Sequence, residues 1–67
     1  SILIPNEYEM EYRLAGLYFL TNNIKKGTTH LKNAMKLDSK HLDLFKELFP
    51  VVWERTEVQK IIQKFKN

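Results

Sequence analysis

The chain reads as all-α: an antiparallel helical hairpin followed by a capping helical pair, a short α-solenoid fragment. Only two glycines and two prolines interrupt 67 residues, and alternating β-branched runs are scarce. Apolar residues recur at helical spacing instead, as Val58, Ile61, Ile62 and Phe65 do at i, i+3, i+4 and i+7. A content of 43% hydrophobic and 28% charged residues is that of a folding chain and not of a disordered tail. At 8.0 kDa it can form one small domain, residues 1–67.

The first helix is expected from Asn6 to about Thr21. Asn6, after Pro5, stands as an N-cap, and Glu9 three residues on supplies the carboxylate of a capping box. Asn22-Asn23 ends the helix, because Asn tolerates the left-handed conformation. From Leu14 to Leu20 this helix is apolar nearly all round, apart from Gly16, which calls for cover on more than one side.

A second helix spans about Ile24 to Leu37. Ile24, Leu31, Ala34 and Met35 make its apolar stripe, and Lys25, Lys32 and Lys36 a charged one. Gly27 within it costs about 1 kcal/mol relative to Ala, which calls for a helix approaching closely there. Asp38-Ser39-Lys40 makes a turn in which Asp38 or Ser39 caps a third helix carrying Leu42, Phe45, Leu48 and Phe49. Pro50 stops that helix and suits the first position of a short helical turn reaching about Glu54, with Trp53 in it. Thr56 and Gln59 have capping-box spacing and open the closing helix.

Leu14-Ala15, Tyr18, Gly27, Leu31, Ala34-Met35 and Leu37-Asp38-Ser39 have the residue types and intervals of a tetratricopeptide repeat, and over residues 8–41 the chain resembles that family. Ala15, Gly27 and Ala34 match its small positions, Leu14, Tyr18 and Leu31 its large ones, and Leu37-Asp38-Ser39 its Leu-Asp-Pro exit with Ser39 in place of proline. Glu11 stands where the family often has Trp. Residues 42–67 depart further: Phe49 replaces a small residue and Pro50 interrupts, so this part reads as a partial repeat and a C-terminal cap.

The resemblance implies a non-catalytic protein–protein interaction module. Such repeats stack into a superhelix whose concave face, lined by first helices, binds a peptide or partner protein. The groove-facing positions it implies are Glu9, Tyr12, Gly16, Phe19 and Leu20, with Asp43 and Lys46 on the third helix. Some members clamp a terminal carboxylate with Lys and Asn in slots that Tyr12 and Gly16 occupy here, so an apolar or mixed peptide is the expected ligand. A purely structural cap that ends a longer solenoid is an alternative reading.

Other chemistries find little support in the residues. The absence of cysteine excludes disulfides, thiolate zinc sites and cysteine nucleophiles, and leaves the compartment open. His30 and His41 lack a metal-ligand spacing and read as surface histidines, while Glu7, Glu9 and Glu11 suit the positive end of a helix. Neither a Gly-rich phosphate loop nor a G-x-S-x-G elbow occurs, so no enzyme activity, cofactor or metal is expected.

A basic nucleic-acid-binding domain is the second alternative, on the lysine series 25, 32, 36, 40 and 60, 64, 66. The net charge of +3 is modest for that role, and the aromatics lie on apolar stripes instead of among the lysines. The longest wholly apolar run, Leu14 to Leu20, is too short to span a membrane. The start has no basic n-region and does not read as a signal peptide; the chain reads as excised from a longer one. Finally, Leu14, Leu17, Tyr18, Phe19 and Leu20 surround the first helix, which only the second and third helices can cover. The isolated fragment is therefore expected to dimerise through that helix, assisted by Ile2, Leu3 and Ile4.

Overall fold

Five α-helices and one 3-10 turn account for nearly all of residues 6–67, the part of the chain that a computed structural model describes. The expectations for Pro5 and for Ile2, Leu3 and Ile4 lie outside these residues. Helix α1 is Glu7–Leu20, α2 Ile24–Leu37, α3 Leu42–Leu48, α4 Pro50–Trp53 and α5 Thr56–Lys66, with the 3-10 turn at Ser39–His41. The fold is all-α, as the sequence predicts. Among the described residues, no helix is long and apolar enough to cross a membrane.

The caps follow the expected positions more closely than the expected bonds. Asn6 is the N-cap of α1, yet its side chain caps no backbone amide; its Nδ2 donates to Glu9 Oε1 at 3.4 Å instead. Asn22 takes φ of 64°, the left-handed conformation that reverses the chain after α1. Asn23 then caps α2, accepting from the Lys26 amide at 3.3 Å. Asp38 accepts from the Lys40 amide at 2.9 Å and so caps the 3-10 turn that precedes α3, with no direct cap on α3 itself. Pro50 sits in the first turn of α4. At α5 the expected capping box is replaced. Arg55 is the N-cap, Thr56 is already helical, and Gln59 Nε2 reaches back to the Trp53 carbonyl at 2.6 Å.

Helices α1 and α2 form the antiparallel hairpin. Phe19 meets Gly27, Glu11 meets His30, and Tyr12 Oη donates to the Asp38 carbonyl at 2.8 Å, so pairings run in opposite directions along the two helices. A Cβ on Gly27 would stand 2.9 Å from the Phe19 ring, which explains why glycine is kept there despite its low helix propensity. Helices α3 and α4 pack on α1, and α5 packs on α2. Every α-helix contributes to one core: Tyr12, Ala15 and Phe19 from α1; Leu31, Ala34 and Met35 from α2; Leu42 and Phe45 from α3; Val52 from α4; Val58 and Ile62 from α5.

Helix α1 is thus covered by three helices, one more than the sequence reading allowed for. Tyr12 faces Phe45 at 5.9 Å between ring centroids, and a Cβ on Gly16 would fall 2.3 Å from the Phe49 ring. This close approach corrects the expectation for Tyr12, Gly16 and Phe19. All three are buried: Tyr12 and Gly16 under Phe45 and Phe49, and Phe19 against Gly27 of α2.

Candidate functional site

Among the described residues, two surfaces gather several exposed apolar or charged side chains. The first lies on α1. At 100° per residue, Met10, Leu14 and Leu17 fall opposite the face that carries Tyr12, Ala15 and Phe19 into the core. They stay 49%, 36% and 54% exposed, and Leu20 beside them 56%. Apolar side chains on both faces of one helix leave its polar groups on the edges. On one edge Glu11 Oε2 meets His30 Nδ1 at 2.6 Å, and His30 stacks on Tyr18 at 5.3 Å between centroids. Lys26 Nζ lies over the Tyr18 ring as well, 5.6 Å from its centroid.

His30 is therefore a half-buried hairpin residue and not the surface histidine expected, and Glu11 serves as its partner in addition to lying near a helix start. His41 is exposed and repeats the pattern at the far end: Nδ1 lies 2.8 Å from Asp38 Oδ2, and the ring stacks on Tyr8 at 4.7 Å. Each histidine engages a single carboxylate. Among the described residues no group of three or more His, Cys, Asp or Glu could hold a metal ion.

The second surface lies between α2 and α5, where Lys32 and Lys36 face Lys60 and Lys64 around Ile61 and Phe65. The sequence shows both lysine pairs but not that the fold brings them together. Their apolar floor comes from the edge of the α5 stripe, where Phe65 is left 38% exposed.

The remaining residues of the expected groove are scattered. Glu9 is half-buried beside Asn6, Asp43 is exposed, and exposed Lys46 places its Nζ 5.8 Å from the Trp53 ring centroid. Leu20 alone of the seven joins the exposed α1 surface. Asp43 has an electrostatic effect all the same. Burial first, then the carboxylates of Asp38 and Asp43, push the Tyr12 phenol up to about 12.

One residue was missed entirely by the sequence reading. Arg55, at the start of α5, donates Nη1 to the Phe19 carbonyl at 2.7 Å and Nη2 to Asn22 Oδ1 at 3.3 Å, while Nη2 also pairs with Glu57 at 3.2 Å. Helix α1 has no basic residue in its last turn, so Arg55 brings a cation to its C-terminal carbonyls from 36 positions away. Its only signal in the sequence is an isolated arginine between two helices.

No protein-family model, curated protein or solved structure matches this chain. The resemblance to tetratricopeptide repeats accordingly rests on the residues quoted for it.

Proposed function

We propose that the protein is a non-catalytic protein–protein interaction module, a hairpin scaffold of tetratricopeptide type that binds a peptide or partner protein through α1. The observation that carries this reading is the row Met10, Leu14 and Leu17, apolar and exposed on the helix face opposite the core, with exposed Leu20 on its flank. Contiguous exposed apolar surface on so small a domain is a contact surface in want of cover. Leaving a few hundred Å2 of it in water forgoes several kcal/mol at about 25 cal/mol per Å2. The small residues Ala15, Gly27 and Ala34, buried in the hairpin, support the repeat-like scaffold. Phe45 and Phe49 cover Tyr12 and Gly16 of the groove implied by the resemblance, which favours the outer side of α1 for the contact.

For the isolated chain a second copy is the simplest occupant, joined by a two-fold axis that pairs α1 with α1. Sedimentation velocity over a dilution series tests this. The chain is expected to show a monomer–dimer equilibrium in the range of tens of micromolar, and Leu17→Glu to abolish it without loss of helicity, because Leu17 is outside the core. Association that persists in Leu17→Glu would remove α1 from the contact.

A further inference from the structure

We infer that the groove between α2 and α5 is a second binding site, built to hold an acidic helical peptide that carries an apolar anchor. This goes beyond the proposal for α1, since the groove belongs to other helices. Lys32 and Lys36 are one helical turn apart on α2, and Lys60 and Lys64 one turn apart on α5. Their four ammonium-bearing side chains surround a groove of about 350 Å3. Like charges at i, i+4 destabilise a helix, and here two such pairs face one another. The three ion pairs among the described residues lie elsewhere, on Glu11, Asp38 and Glu57. Glu7 and Glu11 border an adjoining depression that Lys36 shares, but Glu11 is already engaged by His30.

Lysines near helix C-termini also suit the helix dipole, and that accounts for Lys36 and Lys64. It does not account for the apolar floor. Ile61 is half-buried and Phe65 exposed between the lysines, so the groove offers an apolar seat ringed by cations. An amphipathic helix with carboxylates flanking a Leu or Phe complements both features, the apolar residue entering the groove and the carboxylates meeting the ammonium groups. A nucleic acid fits less well. The lining holds no arginine, amide or hydroxyl to read a base edge, and one phenylalanine is a poor stacking platform.

The test is fluorescence titration of the 67-residue chain with a labelled helical peptide bearing two Glu pairs at i, i+4 around a single Phe. The chain is expected to bind it with an affinity that weakens as salt is raised. Lys32→Gln with Lys64→Gln should weaken binding about tenfold or more, as should Phe65→Ser, while Lys25→Gln with Lys40→Gln, equal in net charge but outside the groove, should not. The same peptide with Gln for Glu, or Ala for Phe, should also lose affinity. Equal losses in the two lysine pairs would reduce the effect to net charge and overturn the site. So would tighter binding of a single-stranded oligonucleotide or of anionic phosphatidylserine vesicles than of the peptide, or no peptide binding at all. All substituted positions are exposed, and helicity measured on each variant separates a binding loss from unfolding.

Discussion

At the scale of single residues, two glycines and one tyrosine set how closely the helices meet. Glycine in a helix interior costs about 1 kcal/mol relative to alanine, so Gly→Ala at an open site would stabilise by that amount. Here each added methyl meets a ring: Phe49 at 2.3 Å for Gly16, and fully buried Phe19 at 2.9 Å for Gly27. Both substitutions are expected to lower stability, with overpacking of roughly 1–3 kcal/mol outweighing the propensity gain. Gly16→Ala should be the worse of the two, and urea denaturation of both variants checks the order. Tyr12 adds a pH dependence. Its folded value of about 12 lies above the ordinary value of 10.0, so the folded state favours the neutral phenol. The associated stability is full below pH 10 and falls as pH rises toward 12, by roughly 2–3 kcal/mol. Tyr12→Phe should flatten this alkaline loss while lowering stability at neutral pH by about 1 kcal/mol through the missing bond to the Asp38 carbonyl. Unfolding measured at pH 9 and pH 11.5 in both proteins reads the difference.

At the scale of elements, local signals in the sequence locate helices well and their tertiary partners poorly. The bounds of α2, the reversal at Asn22 and the stop at Pro50 follow from periodicity and turn chemistry, which act within a few residues. What covers Tyr12 and Gly16 depends on where Phe45 and Phe49 land, and nothing in the residues of α1 encodes that placement. The same limit hid Arg55. Its side chain belongs to α5 by sequence and to the end of α1 by function, and it joins the two halves of the molecule at the Phe19 carbonyl. Arg55→Ala is expected to cost about 1–3 kcal/mol, because a charge-assisted bond is lost and the end of α1 keeps only its backbone caps, such as the Asn22 amide on the Phe19 carbonyl. Hydrogen exchange should locate the loss, with amides in the last turn of α1 and the first turns of α5 exchanging faster while those of mid-α2 change only with global stability. Arg55→Lys keeps the charge but not the fork, and should recover part of the protection.

At the scale of the whole molecule, a core drawn from every α-helix leaves exposed, among the described residues, an apolar face of α1 and a lysine-lined groove between α2 and α5. The sequence made the first of these legible, since a helix apolar nearly all round must meet something on both sides, although of the residues left exposed, Met10, Leu14, Leu17 and Leu20, only Leu20 is a groove position that the repeat resemblance implied. It listed the lysines of the second without bringing them together. Whether the outer face of α1 is the contact surface is decided by methyl-resolved NMR of the 67-residue chain during dilution from millimolar to micromolar concentration. Concentration-dependent shifts are expected at the methyls of Met10, Leu14, Leu17 and Leu20, with those of Leu31, Leu42 and Ile62 unmoved. Shifts centred on exposed Val51 or on the Ile61 and Phe65 groove, with the α1 methyls constant across the series, would contradict it.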